Sequence, residues 1–414
     1  MSAPLDTKPL ILALFALTYL GLAVGRIPGL RLNRSGIALL GAIAMMIVCR
    51  NPTAQTFAAI NWPTICLLFG FFVIAAQLRL SGFYDLVAAG ISARVAAPSY
   101  FLAFLIAVTA ALSAFLNNDI ICYVMTPVVA TALVRRRINP VPYLVALAAA
   151  SNVGAAATLI GNAQNMMIGS VAGLSFGRYL LWTLPPVAVG LGAIFVVVRL
   201  ARDDGPPVIR ADEVEPAASP QPFNAYHAGK GLVILFAVIA LFFTSVPREI
   251  TVLAAAGIHL VSTKFRTDQL LGLVDWQVLL LFASLFVISG TFQATGYTDQ
   301  LVHWMVGQGF DPGRPTNEVC LTAGLSVLIS NAPAVMLLVK VVPLTHATNG
   351  YLMAVANSFA GNAVVTASVA NLIVVQQARR QGIVLSFPQF ARLGIPITLL
   401  GLGGLIAWAA LAGS

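Results

Sequence analysis

The sequence is poor in charged residues. Asp, Glu, Lys and Arg make up only 9% of its 414 residues, whereas a soluble protein has about 25%. Hydrophobic residues make up 59%, and many apolar runs approach the roughly 20 residues that a helix needs to cross a bilayer. The alternation of apolar and polar residues that is typical of a membrane β-barrel is missing. The composition therefore predicts an all-α polytopic membrane protein.

Cysteine and histidine are scarce as well, with four residues of each. The cysteines have the spacing of neither a disulfide framework nor a metal site, and the histidines fall near predicted surfaces: His227, His259, His303 and His346. We therefore expect no metal site beyond Na⁺ bound by polar oxygens, and no cofactor. Since no nucleophile–base arrangement is visible either, we do not expect an enzyme.

The net charge of +9 comes largely from arginines in loops, where the positive-inside rule places basic residues. It does not indicate a nucleic-acid partner. The arginine-containing loop 26–34 is predicted in the cytoplasm, which places the N-terminus outside. Residues 203–230 form the longest polar stretch and are predicted to be a cytoplasmic linker. The spans then divide the chain into residues 1–202, the linker 203–230, and residues 231–414, with the C-terminus outside.

The most informative feature is a polar break, Asn117-Asn118-Asp119, between apolar runs at residues 100–115 and 120–134. Polar side chains at membrane depth are costly unless they line a cavity or bond to each other. Ser330-Asn331 interrupts another apolar run in the same way. Residues 143–169 and 351–375 are crowded with small and polar residues and are predicted to be broken helices. Residues 81–95 and 298–309 are predicted to be interfacial helices.

The two halves of the chain repeat this plan. Asn61-Trp62 aligns with Asp275-Trp276, and the same offset aligns Gly82 with Gly296. Slightly shorter offsets place Asn117-Asn118 on Ser330-Asn331, and Asn165 on Asn371. Each half contains about five crossings, one re-entrant hairpin and one broken helix. Because an odd number of crossings reverses the second half, we predict two inverted repeats with a substrate site at the midplane.

The candidate binding residues are the polar side chains at these breaks, because amide and hydroxyl groups can bind oxyanions as donors or sodium as oxygen ligands, and exposed helix ends add partial charge. For single residues such as Ser151 or Ser368, the alternative role is helix packing. The candidates in the first half are Asn117, Asn118, Asp119, Ser151, Asn152, Thr158, Asn162 and Asn165. Those in the second half are Ser330, Asn331, Asn357, Ser358, Asn362, Thr366, Ser368 and Asn371.

Asp119 differs from the other acidic residues, which fall in loops, interfacial helices or the linker. It is the acid that falls within a predicted membrane-depth segment. It could carry a proton, ligate sodium or orient an asparagine, and it could also cap the helix that begins at Ile120. No arginine or lysine lies beside either tip in the sequence, so we expect helix dipoles or bound cations to balance an anionic substrate.

These motifs resemble the ion transporter superfamily, which includes arsenite/antimonite exporters, sodium/proton antiporters, divalent anion/sodium symporters and citrate transporters. Asn118-Asp119-Ile120 to Thr126-Pro127 resembles the first hairpin of the arsenite exporter branch. Ser330-Asn331-Ala332-Pro333 to Leu338 resembles the second hairpin of anion permeases in the group. Residues 161–165 and 368–373 resemble the paired motifs after the hairpins. The resemblance implies a homodimer, a scaffold made of the outer spans, and a mobile transport domain of hairpins and broken spans that moves as an elevator.

The sequence thus predicts a secondary active transporter of a small anion or metalloid oxyacid, coupled to Na⁺ or H⁺. Three alternatives remain: an arsenite/antimonite efflux permease, a sodium/proton antiporter that uses Asp119, and a passive anion channel. The expected partners are the lipid bilayer, the small substrate and a second copy of the chain. The expected location is the bacterial inner (plasma) membrane.

Overall fold

A computed structural model describes residues 7–25, 32–49, 53–92, 98–201, 209–214, 221–261 and 264–412. Most of these residues are helical. The predicted arginines at positions 26 and 31, parts of the predicted linker and the end of the first interfacial helix lie outside the described residues.

The first half contains helices in the order predicted from its apolar runs. They are α1 (Lys8–Val24), α2 (Arg34–Cys49), α3 (Thr53–Ala59), α4 (Trp62–Leu80), α5 (Phe83–Ser92), α6 (Pro98–Phe115), α7 (Asn118–Arg135), α8 (Val141–Ala155), α9 (Ala163–Val171) and α10 (Phe176–Ala201). The predicted broken hairpin is the pair α6–α7, and the predicted broken span is the pair α8–α9.

The second half follows the same order. Strand β1 (Ile209–Val214) precedes it, and its helices are α11 (Ala225–Leu241), α12 (Arg248–Leu260), α13 (Thr267–Leu271), α14 (Trp276–Gln293), α15 (Tyr297–Gly307), α16 (Pro315–Ile329), α17 (Asn331–Leu338), α18 (Ala347–Ala360), α19 (Val369–Arg380) and α20 (Phe387–Ala412). A 3₁₀ turn, Val365–Ala367, precedes α19, and strand β2 (Gln381–Ile383) follows it.

The composition of the helices confirms the prediction of a polytopic α-helical membrane protein. In the described part of the chain, five helices have at least 18 residues and are apolar enough to span a membrane: α4, α7, α10, α14 and α20. Several elements were not predicted, among them the short helices α3 and α13 and the two strands. Strand β1 pairs antiparallel with β2, with Ile209 opposite Ile383 and Val214 opposite Gln381, so a small two-stranded sheet joins the region between the halves to the end of α19.

The helices pack in two groups. In one group, α4 packs against α12, α14 packs against α2, and α11 packs against both α4 and α12. In the other, α6 packs against α8, α16 against α18, and α10 against α20. The breaks between α6 and α7, α8 and α9, α16 and α17, and α18 and α19 all belong to the second group, which we call the break bundle.

Matching helix starts show why the two halves fold alike. The Asn61 Oδ1 accepts from the Thr64 N–H at 2.9 Å at the start of α4, and the Asp275 Oδ1 accepts from the Val278 N–H at 3.1 Å at the start of α14. Such an N-cap is worth about 1 kcal/mol. The next residue repeats as well, because the Trp62 and Trp276 indoles donate to the carbonyls of Phe57 and Leu271.

Two histidines are placed differently from the expectation that all four lie near surfaces. His227 and His259 are buried, and both ring nitrogens of His259 lack a hydrogen-bond partner among the described residues. They lie on α11 and α12, outside the break bundle. The sequence prediction was wrong here because α11 and α12 pack against α4. This packing buries helix ends that a hydropathy pattern alone predicts to be exposed.

Candidate functional site

The first tip is the short turn between α6 and α7. Asn117 caps α7, since its Oδ1 accepts from the Asp119 N–H at 2.8 Å. Asn118 and Asp119 therefore occupy the first turn of α7, where backbone N–H groups are free of helical partners. Helix α7 thus presents its positive end at a polar break inside an apolar protein.

Asn118 fastens this tip to the broken span of the same half. Its Nδ2 donates to the Asn152 Oδ1 at 3.3 Å, and its carbonyl accepts from the Ser151 hydroxyl at 3.2 Å. Its N–H donates to the Gly161 carbonyl at 3.4 Å. All three contacts are buried, and together they fix the position of the tip against the break between α8 and α9.

Asn152 joins the two halves of the chain. Its Nδ2 donates to the Oδ1 atoms of Asn362 and Asn371 at 3.0 and 3.1 Å. Its Oδ1 accepts from the Ser368 hydroxyl at 3.0 Å in addition to Asn118. Asn152 is only 2% exposed, and it uses both amide donors and both oxygen lone pairs.

The contacts around the breaks repeat in the alignment that pairs Asn165 with Asn371. The Asn165 Nδ2 donates to the carbonyls of Ala155 and Thr158. The Asn371 Nδ2 donates to the carbonyls of Gly361 and Val364, which are the counterparts of those two residues. The cross-half contacts are reciprocal too, because Asn162 of the first half donates to the Ser358 hydroxyl, and Ser368 of the second half donates to Asn152.

The second tip lies between α16 and α17 and is held in an unusual backbone conformation. Ser330 has φ 74° and ψ 157°, a region that is essentially restricted to glycine and costs about 1–3 kcal/mol. Its hydroxyl donates to the Ala367 carbonyl at 3.2 Å and accepts from the Arg34 Nη1 at 3.1 Å. Surrounding contacts therefore hold the strained residue in place.

Arg34 corrects one expectation from the sequence, that no basic residue lies beside the tips. It reaches the second tip from the start of α2, and its Nη2 also donates to the Thr366 carbonyl at 3.2 Å. Arg79 lies beside the first tip, since it lines the same cavity as Asn117 and Asp119. Both arginines are distant in sequence from the residues that they approach, so no local pattern could have placed them there.

A cavity of about 550 Å³ opens beside the first tip. Its charged residues are Asp119, Arg79 and Asp275, and the Arg79 guanidinium lies 4.6 Å from the centre of the Tyr123 ring. The wall is completed by Phe72, Gly272–Gln277 and Ile373. The cavity therefore lies between the break bundle and the group of helices that includes α4 and α14, and it carries one cation and two carboxylates.

Several polar atoms of the buried network lack partners among the described residues. They are the Asn331 Oδ1, the Asn357 Nδ2, the Asn362 Nδ2 and the Asn165 Oδ1. A buried polar group without a partner costs about 1–3 kcal/mol. Three of these four atoms belong to the second half, so that side of the cluster retains unused hydrogen-bonding capacity for a ligand or ion.

The structure brings most of the predicted residues together but not all. Thr158 donates to the Ala114 carbonyl and accepts from the Ile160 N–H at 3.2 Å. Its hydroxyl group therefore bonds to backbone atoms around the break. Thr366 is exposed and contributes its carbonyl to Arg34. The described part of the chain has no cluster of three or more His, Cys, Asp or Glu residues that could hold a metal.

The sequence predicted that acids other than Asp119 fall in loops, interfacial helices or the linker, but Glu318 is buried in a helix. Glu318 lies in the first turn of α16 and is 0% exposed. Neither of its carboxylate oxygens has a hydrogen-bond partner among the described residues. The sequence suggested a loop-proximal acid because Glu318 follows the polar stretch 311–317. The spacing of Glu318, Thr322 and Ser326 along one helix face was the available signal.

Two known folds resemble this architecture. A transporter of Alcanivorax borkumensis, YdaH, superposes with a TM-score of 0.60 over 98% of both chains at 14% identity. MtrF of Neisseria gonorrhoeae superposes with a TM-score of 0.57 over 97% of this chain and 94% of that chain, at 13% identity. At these identities the similarity concerns the fold alone.

Sequence relatives give a more specific result. An uncharacterized transporter of Mycobacterium tuberculosis is 32% identical over 83% of this chain and 85% of its own. The silicon efflux transporter LSI3 of Oryza sativa subsp. japonica is 27% identical over 90% of this chain and 92% of its own. The pattern of the citrate transporter family, CitMHS, matches residues 12–360. The chain therefore belongs to the citrate transporter family, within the ion transporter superfamily.

Proposed function

We propose that this integral membrane protein is a secondary active transporter of a small anion or metalloid oxyacid, driven by Na⁺ or H⁺. The observation that carries the proposal is the buried polar cluster around Asn152, which joins helix breaks of both halves beside an open cavity. Interrupted helices expose backbone donors and carbonyls together, which suits the joint binding of a substrate and a coupling ion.

Inverted repeats are part of the proposal. The reciprocal contacts of Asn162 with Ser358 and of Ser368 with Asn152 support a two-fold relation between the halves. With an odd number of crossings per half, residues 1–202 and 231–414 have opposite orientations, both termini lie outside and residues 203–230 lie in the cytoplasm. The hairpins α6–α7 and α16–α17 are then re-entrant from opposite faces.

A second, much smaller cavity supports alternating access. Its volume is about 40 Å³, and it is lined by Ala59, Val171, Phe286, Ser289, Gly290, Met336, Val339 and Lys340. When Asn61 is aligned with Asp275, Phe286 of this cavity is the counterpart of Phe72 in the large cavity. The surrounding elements correspond in the same way. Around the small cavity lie α3, α9, α14 and α17, and around the large cavity lie their counterparts α13, α19, α4 and α7. The same place is thus open in one repeat and nearly closed in the other.

This asymmetry is what an elevator-type transporter has when it faces one side of the membrane. Under the proposed orientation, the open cavity at Arg79 and Asp275 faces the cytoplasm. Movement of the break bundle relative to α4 and α14 would close the large cavity and open the small one to the other side of the membrane. We also propose that the protein works as a homodimer in the bacterial inner membrane, as the resemblance to the superfamily implies.

The charges of the large cavity bear on the substrate. One arginine faces two carboxylates, so a citrate trianion would meet a net negative wall unless cations bind with it. A neutral hydroxylated oxyacid needs donors and acceptors rather than net positive charge. A relative bears the name silicon efflux transporter, which supports the oxyacid over the tricarboxylate. Efflux of arsenite or antimonite is the corresponding alternative.

Uptake by proteoliposomes tests the proposal. The purified protein is reconstituted, and the uptake of citrate, arsenite and germanic acid, a labelled analogue of silicic acid, is measured under an imposed Na⁺ or H⁺ gradient. Concentrative uptake of one probe under one gradient is expected. Equilibration without accumulation under both gradients would indicate a passive channel, and sodium–proton exchange without movement of any probe would indicate an antiporter.

A further inference from the structure

Helix α16 carries a buried polar stripe that the proposed substrate site does not use. Glu318, Thr322 and Ser326 are each 0% exposed. Each follows the previous one after about one helical turn, so they lie on one face of the helix. The stripe begins in the first turn of α16 and ends one turn before the strained residue Ser330.

The inner end of the stripe contacts the end of α18, beside the break between α18 and α19. The Ser326 hydroxyl donates to the Asn357 Oδ1 at 2.7 Å, in the last turn of α18. The Asn357 Nδ2, the Thr322 hydroxyl and both Glu318 oxygens lack partners among the described residues. The stripe therefore combines exchangeable protons, unused hydrogen-bonding capacity and one ionisable group.

The first half provides a natural comparison. In the alignment that pairs Asn118 with Asn331, Thr109 and Ser113 correspond to Thr322 and Ser326, and Leu105 corresponds to Glu318. Leu105, Thr109 and Ser113 are also 0% exposed. The two hydroxyls are thus common to both halves, whereas the carboxylate is specific to the second half. Since leucine fills this position in the first half, helix packing alone does not require a carboxylate here.

Among the described residues, no cation forms an ion pair or a hydrogen bond with Glu318. The helices packed against α16 are α1, α17, α18 and α20, together with the 3₁₀ turn before α19. Their titratable groups, together with those of α16 and its N-terminal cap, are Lys8, Tyr19, His346, Tyr351, Arg392, Arg314 and Cys320. None of these donates a hydrogen bond to the Glu318 carboxylate among the described residues. An ionised carboxylate without a partner is strongly disfavoured in this setting, whereas the protonated group is far less costly.

The place of Glu318 in the helix allows the proton to leave. The first turn of α16 is its positive end, which stabilises a negative charge. Ionisation would change the packing between α16 and α18, and α16 runs directly into the tip at Ser330. The protonation state of Glu318 is thus mechanically connected to the second tip.

We propose that Glu318 is the group that binds the coupling ion, as a proton, with Thr322 and Ser326 connecting its carboxyl group to Asn357 beside the break between α18 and α19. This inference rests on the proposed transport function and deepens it. It assigns ion coupling to the second hairpin, while Asp119 and the large cavity belong to the first.

Infrared spectroscopy tests proton binding without any substrate. The carbonyl stretching band of a protonated carboxyl group is followed over a pH titration of the protein in liposomes. A titrating band that disappears in Glu318→Gln and returns in Glu318→Asp supports the proposal. A titration unchanged by Glu318→Gln overturns it, as does a Glu318 band that persists at every pH, since a permanently protonated group carries no proton.

Transport measurements test the coupling. Liposomes contain a pH-sensitive dye, and proton movement is measured when citrate, arsenite or germanic acid is added. We expect Glu318→Gln to lose proton movement while it keeps one-for-one exchange of the same probe. Thr322→Val should slow proton movement, whereas its counterpart Thr109→Val should not. Equal proton movement in the wild type and Glu318→Gln, or uptake driven by sodium alone in the wild type, overturns the proposal.

The two levels of the hypothesis fail separately. If the wild type exchanges none of the probes, the proposed transport of these substrates fails, while the infrared titration still decides whether Glu318 binds a titrating proton. Equal melting temperatures and elution volumes of the variants exclude misfolding as the cause of a lost signal.

Discussion

Asn152 in α8 donates through its Nδ2 to the Oδ1 of Asn371 in α19, at 3.1 Å, and so connects the broken helices of the two halves. Asn152→Ala would leave Asn118, Asn362, Asn371 and Ser368 each short of one partner. At about 1–3 kcal/mol for each buried group without a partner, we expect a large fall in melting temperature and loss of uptake.

Asn317→Ala is the matched control for that variant. The Asn317 Nδ2 donates to the Asp311 carbonyl at 3.0 Å at the start of α16, away from the helix breaks. Removal of this single bond should change the melting temperature little and leave uptake intact. Equal losses in both variants would contradict a special role for the Asn152 cluster.

Asp119→Asn tests the carboxylate at the large cavity. The change preserves shape and leaves the Asn117 cap intact, since that bond uses the Asp119 N–H. It removes one of the two carboxylates that line the same cavity as Arg79. We expect substrate affinity to fall by about tenfold or more, as for loss of a charged contact, and the dependence of uptake on the ion gradient to be preserved. Asp299→Asn, on the exposed face of α15, makes the same chemical change elsewhere and should preserve both properties.

Ser330→Gly and Ser330→Ala together measure the strain at the second tip. Both variants lose the hydroxyl that contacts Arg34 and Ala367, but alanine keeps the Cβ that disfavours φ 74°. We expect the glycine variant to be more stable than the alanine variant by about 1–2 kcal/mol, measured by chemical or thermal unfolding. Equal stabilities would show that the backbone at this position is relaxed in solution.

Gly394→Ala tests how closely α20 approaches the second helix break. An added Cβ would collide with the carbonyl oxygen of Asn362 and lie 2.8 Å from that of Ala363. Overpacking of this kind costs about 1–3 kcal/mol, so both stability and uptake should fall. Gly403 lies in the same helix with nothing within 4 Å of an added Cβ. Gly403→Ala should therefore be neutral or stabilise by about 0.5–1 kcal/mol.

The sequence was sufficient for features that depend on local pattern. The breaks at Asn117 and Ser330 were predictable because polar residues interrupt apolar runs, and the correspondence of Asn61-Trp62 with Asp275-Trp276 was visible as a repeat. The network around Asn152 was predictable in membership but not in connectivity, since its bonds link residues of opposite halves.

Other features could not be predicted, for physical reasons. Arg34 and Arg79 have the pattern of basic residues that flank spans, and only the packing of α2 and α4 brings them to the tips. The burial of Glu318 depends on α18, which follows it in the chain. Strand β1 falls in a polar stretch between the halves, whereas its partner, β2, lies near the end of the second half, beyond the reach of any local signal.

The pairing of β1 with β2 has a mechanical consequence. Strand β2 directly follows α19 of the break bundle, so β1 is bound to that bundle. Shortly after β1 ends at Val214, the Asn224 N–H donates to the Ser81 carbonyl at 2.9 Å, at the end of α4 in the other helix group. The chain from Val214 to Asn224 spans at most about 35 Å when fully extended. Under the proposed elevator motion, this maximum span would set an upper limit on the distance that one helix group can travel past the other.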